Sequence, residues 1–229
     1  MLIDGFQKVT LLDFPNTVSC IVFTKGCNYR CPFCYNSPLV LDKTEKLNYT
    51  EEEIIKYLDK RKGLIDGVVI SGGEPTLQKN LIDFISKIKK MNFKVKLDTN
   101  GTNPNVLKNL LDNGLLDYVA MDIKNSFDKY EMTVGLRRTY LDSIKESIKI
   151  LKESNIDYEF RTTIVKEFHT ISDLKEILKY IDGSRYFIQN FQDNENVLKR
   201  GLHSFSNDEL HIINNELKNE FANFKIRGL

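Results

Sequence analysis

Three of the four cysteines in this 229-residue chain lie close together, at Cys27, Cys31 and Cys34. Their CxxxCxxC spacing on a polar segment predicts a loop that wraps one metal centre, because closely spaced thiolates are the ligands of iron–sulfur clusters. Three thiolates on a cube of four irons leave one iron without a protein ligand. The spacing therefore favours a [4Fe–4S] cluster with one iron open to a small molecule, as catalysis at a cluster requires.

A structural zinc site is the alternative for the same loop, and zinc normally takes four ligands in a closed tetrahedron. The fourth ligand would be Cys20 or a histidine. Cys20 lies inside a predicted strand, where a buried thiol is the simpler interpretation. The histidines occur in ordinary helix and loop contexts: His169, His203 and His211. We expect Cys20 to take no part in the metal site, and one leftover cysteine cannot build a second Cys-ligated cluster.

Further polar residues occur at the ends of later β-rich segments. They are Gly72, Gly73 and Glu74 in an SGGEP turn, Asp98 and Asn100 in DTNG, Asp122 and Lys124 in DIK, and Arg161 in a later strand. Glycines let a ligand approach the backbone closely, and mixed carboxylates and cations suit a zwitterion. Each group alone could be an ordinary turn or ion pair. Their common position at strand ends, where barrels hold their active sites, favours one shared site.

Short β-rich runs alternate with helical patterns along the whole chain. The predicted strands are 18–24, 67–70, 94–98, 118–122, 157–165, 185–189 and 224–227. The predicted helices are 50–60, 77–91, 104–113, 139–154, 171–181 and 207–219. Right-handed crossovers would curl such units into a barrel, but the chain is shorter than the ~250 residues of a closed eightfold barrel. We predict an α/β fold in one domain, residues 1–229: an open partial (β/α)6 barrel of parallel strands, with 1–17 as an N-terminal edge segment.

Composition restricts the partners. Lys and Arg number 33 against 32 Asp and Glu, so no basic excess points to nucleic acid. No stretch approaches the roughly 20 apolar residues that span a bilayer, and the first residues lack the apolar core of a signal peptide. We expect a cytoplasmic protein with neither a nucleic-acid nor a membrane partner.

The cysteine motif, with aromatic Phe33 just before its last cysteine, and the SGGEP turn after the next strand together resemble the radical S-adenosylmethionine superfamily. The resemblance implies that the amino and carboxylate groups of S-adenosylmethionine chelate the open iron. It implies that Gly72, Gly73 and Glu74 receive the amino group, that Phe33 and the backbone near Tyr35 hold the adenine, and that Asp98, Asn100, Asp122, Lys124 and Arg161 contact the ribose and carboxylate. Electron transfer from the reduced cluster would then give a 5′-deoxyadenosyl radical.

Residues 5–34, GFQKVTLLDFPNTVSCIVFTKGCNYRCPFC, are similar to activating enzymes of glycyl-radical proteins, particularly those of anaerobic ribonucleoside-triphosphate reductase. LDTNG, MDIK and QNF continue the likeness. It implies a glycyl-radical enzyme as protein substrate and a reduced flavodoxin or ferredoxin-type electron donor. A related activase, for pyruvate formate-lyase, binds a monovalent cation, and its acidic positions would match Asp98 and Asp122, with Thr99 nearby. Tyr35 is a departure, since many activases carry His there.

Two other functions stay open. A small-molecule radical enzyme, such as a carboxy-deazaguanine synthase-like protein, would need further polar groups and a Mg²⁺ site inside the barrel. A non-catalytic iron–sulfur or zinc protein would sense redox state or bridge partners. The short chain, without an extension after the last strand, favours an activase, because an open barrel mouth could admit a glycine loop of a large partner.

Overall fold

The computed structural model describes residues 1–41, 47–136 and 140–229. Within these ranges the chain forms one eight-stranded sheet whose strands lie side by side in sequence order. The strands are β1 (Ile3–Thr10), β2 (Ser19–Thr24), β3 (Gly67–Gly72), β4 (Lys94–Thr99), β5 (Tyr118–Asp122), β6 (Asp157–Ile164), β7 (Tyr186–Asn190) and β8 (Phe224–Arg227).

All neighbouring strands from β2 to β8 pair in parallel. The predicted α/β fold, an open partial barrel of parallel strands, is confirmed. The N-terminal edge segment is more regular than expected, because β1 pairs antiparallel with β2 and begins at Ile3. This pairing satisfies one edge of β2, whose backbone groups would otherwise lack partners.

Helices connect the parallel strands. They are α1 (Ser37–Leu41), α2 (Glu51–Lys60), α3 (Leu81–Lys90), α4 (Pro104–Asp112), α5 (Tyr130–Val134), α6 (Leu141–Glu153), α7 (Ile171–Tyr180) and α8 (Asn207–Lys218). A capping box of Thr50 and Glu53 starts α2, which satisfies backbone donors of its first turn. The helix predicted from residue 77 starts four residues later, because Pro75–Leu77 forms a 3₁₀ turn first. The predicted start of α6 at residue 139 lies outside the described residues.

Alternating side chains along the strands build two apolar clusters. The larger one lies between the sheet and the helices and includes Val68, Ile70, Val95 and Leu97. The smaller one lies on the opposite, inner face of the sheet and comprises Phe14, Ile21, Val69, Tyr118 and Ala120. The inner cluster lies toward the strands' N-terminal ends, which leaves their C-terminal ends for polar side chains. No helix in the described ranges is long and apolar enough to span a membrane.

Candidate functional site

All thirteen residues predicted for the site line one cavity of about 290 Å³ at the C-terminal ends of the strands. They are Cys27, Cys31, Phe33, Cys34, Tyr35, Gly72, Gly73, Glu74, Asp98, Asn100, Asp122, Lys124 and Arg161. The lining also includes side chains that sequence reasoning did not select for the site, among them Tyr29, Asn36, Ser71 and Thr163. The parallel strands thus bring together predicted site residues up to 134 positions apart, from Cys27 to Arg161.

The cysteine loop runs between β2 and α1 and is held by its own Arg30. The guanidinium donates to the carbonyls of Cys27 and Tyr29, both over 2.7 Å. The Arg30 amide donates to the Val134 carbonyl of α5 over 3.0 Å. Gly135 follows at φ +69, and a Cβ there would overlap the Arg30 carbonyl. The loop is therefore fixed by close backbone packing as well as by hydrogen bonds.

A segment after β7, residues 191–200, covers the other side of the cysteine loop. The Leu198 amide donates to the Cys34 carbonyl over 3.3 Å, and the Lys199 amide donates to the Pro32 carbonyl over 2.9 Å. The ring of Tyr35 stacks on Phe191 with centroids 5.8 Å apart. This covering segment was not identified from the sequence, because its contacts join residues more than 150 positions apart and its backbone has no regular periodicity.

Burial shifts the pKa of two thiols of the cysteine loop. Burial raises the pKa of Cys31 to about 12. Burial also raises the pKa of Cys27 to about 11. The Tyr29 amide donates to the Cys27 sulfur over 3.4 Å and lowers this pKa, but burial outweighs it. Both thiols are therefore protonated at neutral pH, and a metal that binds them must displace the protons.

Cys20 lies on the opposite face of β2 from the cavity. It packs in the larger cluster, toward the helices, whereas its neighbour Ile21 belongs to the inner cluster. Burial raises the pKa of the Cys20 thiol to about 12, as for an inert buried cysteine. Within the described ranges, no three or more His, Cys, Asp and Glu side chains are arranged to hold a single metal ion.

The cavity has the donors for a cuboidal iron–sulfur cluster. Three soft thiols line it from one loop, and a cube binds each cysteine at a different iron, so the thiols need not converge on one point. Tyr29 also lines the cavity. Its buried hydroxyl has no hydrogen-bond partner among the described residues, although buried hydroxyls are normally paired. Both observations fit a bound group that supplies acceptors of its own.

The SGGEP turn is locked against the cysteine loop through its backbone. The Gly73 amide donates to the Thr24 carbonyl, and the Glu74 amide donates to the Gly26 carbonyl, both over 2.8 Å. A Cβ on Gly73 would overlap the same Gly26 carbonyl. Glycine is therefore required at position 73 by close approach of two backbones.

The Glu74 carboxylate joins the SGGEP turn to the DTNG loop. It is 1% exposed and accepts four hydrogen bonds: from the Thr76 amide over 3.1 Å, the Thr76 hydroxyl over 2.5 Å, the Thr99 hydroxyl over 2.8 Å and the Asn100 amide over 2.7 Å. Burial raises the pKa of Glu74, although the four hydrogen bonds favour the ionised carboxylate and lower it. Sequence reasoning anticipated a ligand role for Glu74, but its place as an acceptor for two loops depends on the fold.

Asn100 connects the DTNG loop to the cysteine loop. Its side-chain amide donates to Oδ1 of Asn28 over 2.9 Å, and Asn28 donates onward to the Thr102 hydroxyl over 2.8 Å. Asn28 occupies a variable position of the CxxxCxxC spacing, so the motif alone gave no reason to select it.

Five alternating charges form an ion-pair chain along the inner face of the barrel. Lys96 contacts Asp98, NH1 of Arg161 lies 3.5 Å from Oδ1 of Asp98, and Nε of Arg161 donates to Oδ1 of Asp122 over 2.8 Å. Nζ of Lys124 completes the chain, 3.0 Å from Oδ2 of Asp122. Burial opposes ionisation of Asp122, but Arg161 and Lys124 outweigh it and hold the pKa of Asp122 well below its usual value.

The expected monovalent cation finds no support at Asp98 and Asp122. Each carboxylate is already paired with two cationic side chains, Lys96 and Arg161 for the first and Arg161 and Lys124 for the second. Lys96 was missed in the sequence, although it precedes Asp98 by two residues and so shares its face of β4.

Phe33 faces the protein interior as well as the cavity. Its ring lies 5.9 Å from Phe168 and 6.2 Å from His169, centroid to centroid. His169 in turn holds the backbone at Lys124, with Nε2 2.8 Å from the Lys124 carbonyl. His169 is thus a buried structural residue that connects the cysteine loop to the end of β5.

Comparison with known proteins agrees with this geometry. The model of the Radical SAM superfamily matches residues 21–181. A Methanocaldococcus jannaschii protein, provisionally named a glycyl-radical enzyme activating enzyme, is 39% identical over 196 residues, 83% of this chain and 80% of that protein. A second M. jannaschii protein with the same provisional name is 30% identical over 182 residues and is matched over 64% of its own length. A GTP 3′,8-cyclase from Helicobacter pylori is 27% identical over 219 residues, 88% of this chain and 61% of the cyclase.

Solved structures share the fold at low sequence identity. A radical SAM methyltransferase from Sphaerobacter thermophilus has a TM-score of 0.74 at 15% identity, over 96% of this chain and 68% of that chain. Streptococcus suis SuiB bound to S-adenosylmethionine has a TM-score of 0.69 at 16% identity, over 89% of this chain and 48% of that chain.

Proposed function

Because the chain belongs to the radical SAM superfamily, we propose that it acts on a glycine of anaerobic ribonucleoside-triphosphate reductase, its glycyl-radical partner. Membership makes it a radical SAM enzyme and brings a [4Fe–4S] cluster and S-adenosylmethionine as its cofactors. The alternative of a non-catalytic iron–sulfur or zinc protein is therefore set aside. The observation that carries the radical SAM chemistry in this proposal is the convergence of the cysteine loop, the SGGEP turn and the ion-pair chain on one cavity.

Each group of cavity residues would hold a different part of the cluster or of the cosubstrate. Cys27, Cys31 and Cys34 would hold the cluster through their thiolates. The backbone around Gly72, Gly73 and Glu74 would take the amino group of S-adenosylmethionine, and Phe33 and the backbone near Tyr35 would hold its adenine. Asp98, Asn100, Asp122, Lys124 and Arg161 would hold the ribose and carboxylate. When bound and reduced, the cluster supplies the electron that cleaves the carbon–sulfur bond and yields a 5′-deoxyadenosyl radical.

The protein's own contribution is positioning and exclusion of water. Arg161 and Lys124 carry positive charge at the cavity wall, where a carboxylate ligand would be held. The paired acids keep these cations fixed, so little reorganisation is needed when the ligand arrives. The covering segment and the buried Phe33 ring shield the cysteine side of the cavity.

The choice of a glycyl-radical enzyme as substrate rests on the residues 5–34 likeness and on the two M. jannaschii relatives. A glycine of the partner would give up its hydrogen to the 5′-deoxyadenosyl radical. We include a reduced flavodoxin or ferredoxin-type protein as electron donor in the proposal, because the cluster needs a one-electron reductant of low potential.

The test is a reconstitution under anaerobic conditions. The protein, loaded with iron and sulfide, is reduced and mixed with S-adenosylmethionine and the anaerobic reductase. A glycyl-radical signal in electron paramagnetic resonance, with 5′-deoxyadenosine formed in step, is the expected result. The Cys31→Ala variant serves as the control and should give neither product.

A different outcome would select the small-molecule alternative, which the 27% identity to a GTP cyclase over 88% of the chain favours. In that case S-adenosylmethionine would be cleaved, no glycyl radical would form in the reductase or in other glycyl-radical enzymes, and a metabolite fraction would stimulate 5′-deoxyadenosine production.

A further inference from the structure

Lys96 is a buried cation beneath the cavity. Its side chain is 2% exposed and lies on the inner face of the barrel, between the Asp98 carboxylate and the ring of Tyr118, whose centroid is 6.0 Å from the ammonium. Tyr118 belongs to the inner apolar cluster. An ammonium in such surroundings is costly unless a counter-charge holds it, and the contact with Asp98 supplies that charge.

Asp98 connects Lys96 to the cavity. Among the described residues, Asp98 lines the cavity and Lys96 does not. Lys96 and Arg161 both approach Oδ1 of Asp98, while the Ser71 hydroxyl donates to Oδ2 over 3.0 Å. These three donors fix the carboxylate plane. Burial opposes ionisation, but the charges of Arg161 and Lys96 outweigh it and lower the pKa of Asp98.

We propose that Lys96 is a positioning residue for S-adenosylmethionine and acts as an internal cation: its ammonium holds Asp98 in the binding orientation, so the protein binds the cosubstrate without a monovalent metal ion. The inference rests on the proposed function, in which Asp98 contacts the cosubstrate. A lysine on the strand supplies this charge at fixed geometry, whereas a metal ion would have to be captured from solution.

The first experiment needs no variant. Binding of S-adenosylmethionine to the anaerobically reconstituted protein is measured by calorimetry in choline, sodium, potassium and ammonium chloride at equal ionic strength. The same Kd is expected in all four salts. Choline is too large to occupy a buried ion site, so equal binding in choline chloride shows that no small cation is needed. A wild-type protein that binds only with sodium or potassium overturns the inference.

Two variants then test the lysine itself. Lys96→Met keeps the length of the side chain without its charge and should weaken binding about tenfold or more in every salt, as truncation of a buried charge partner does. Lys96→Ala leaves room for a small ion, and ammonium, but not choline, should restore part of the lost affinity. Lys94→Met, at an exposed site on the same strand, should bind like the wild type.

The outcomes distinguish failure of the Lys96 role from failure of the proposed function. A wild type that binds and cleaves S-adenosylmethionine, with Lys96→Met equal to it, supports the proposed function and refutes the role of Lys96. Loss of binding in Lys96→Ala without rescue by ammonium, together with a lower melting temperature, assigns Lys96 to stability and also refutes it. A wild type that neither binds nor cleaves the cosubstrate refutes the proposed function first and this inference with it.

Discussion

Arg161 of β6 and Asp122 of β5 are partners across adjacent strands, and the guanidinium Nε donates to the carboxylate over 2.8 Å. The same guanidinium reaches Asp98 at 3.5 Å. One side chain therefore holds two carboxylates that come from different strands. The planar, forked guanidinium of Arg161 thus links β6 to carboxylates near the C-terminal ends of β4 and β5.

The first prediction concerns a variant in which the forked guanidinium of Arg161 is replaced by a side chain of the same charge. In Arg161→Lys one ammonium cannot contact both carboxylates in the same way, because it lacks the fixed geometry of a guanidinium. The Kd for S-adenosylmethionine should rise at least about tenfold, a loss of roughly 1.4 kcal/mol, as measured by calorimetry. Arg185→Lys, at a half-exposed ion pair with Asp157, is the matched control, and equal affinity in the two variants would contradict the prediction.

The second prediction concerns the cysteines. Cys27→Ala, Cys31→Ala or Cys34→Ala should each abolish iron binding after reconstitution and the cleavage of S-adenosylmethionine, since two thiolates do not retain a four-iron cube. Cys20→Ala should keep normal iron content, because Cys20 faces the helices. Iron and sulfide analysis gives the readout. Loss of iron in Cys20→Ala would show that a fourth protein ligand occupies the corner assigned to the cosubstrate.

The third prediction tests the contact between the SGGEP turn and the cysteine loop. A Cβ in Gly73→Ala would overlap the Gly26 carbonyl, next to Cys27, so the loop must move. We expect a loss of stability of about 1–3 kcal/mol, typical of overpacking, and reduced iron loading. Gly183→Ala, where a Cβ meets nothing within 4 Å, should lose some stability from its positive φ but load iron fully. Full loading of Gly73→Ala would disprove the coupling.

The fourth prediction concerns the buried acceptor Glu74. In the wild type, backbone and hydroxyl donors bond to the carboxylate oxygens of Glu74. In Glu74→Gln one of these oxygens becomes an NH₂ group, which is itself a donor and cannot accept from them. Each donor left without an acceptor costs about 1–3 kcal/mol, so the free energy of unfolding should fall by several kcal/mol in denaturant titrations of the metal-free protein. Glu52→Gln, at an exposed position of α2, should change it little. An unchanged free energy of unfolding in Glu74→Gln would contradict the role of the carboxylate as the acceptor that joins the two loops.

The fifth prediction is a pH dependence that arises from His169. The Val165 amide donates to Nδ1 over 3.1 Å, so the neutral ring donates from Nε2 to the Lys124 carbonyl. Burial lowers the pKa of His169. The unfolded chain therefore takes up a proton near pH 6.5 before the folded chain does, and stability is lost as the pH falls from there through the folded pKa. Melting temperatures between pH 7.5 and 5 should show the decline in the wild type.

A comparison of variants isolates this histidine. His169→Gln should flatten the decline, because glutamine does not titrate, while exposed His211→Gln should leave it unchanged. The same slope in all three proteins would assign the decline to other groups.

The cavity residues were predictable because each lies in a local pattern whose place in the fold is fixed. Asp98 and Asp122 end short buried runs, and parallel strands bring such ends to one edge. Gly73 and the cysteines occur in compact motifs. In contrast, Lys96 looked like one of many lysines, and only its pairing with Asp98 and the closure of the inner face show that it is buried.

Contacts between distant segments explain the rest of what the sequence did not reveal. The pairing of β1 with β2 and the position of residues 191–200 depend on three-dimensional closure. The two five-residue helices, α1 and α5, are too short to show a helical repeat. Asn28 and Tyr29 stand at unspecified positions of the cysteine motif, so their roles follow from neighbours such as Asn100.

The covering segment also sets an order of events during synthesis. The cysteine loop is synthesised before its cover, because the Lys199 amide that donates to the Pro32 carbonyl lies 167 residues further along the chain. On a nascent chain the cysteine loop consequently lacks this cover until those 167 residues have been added. This wall of the pocket can therefore form only after residues 191–200 have been synthesised.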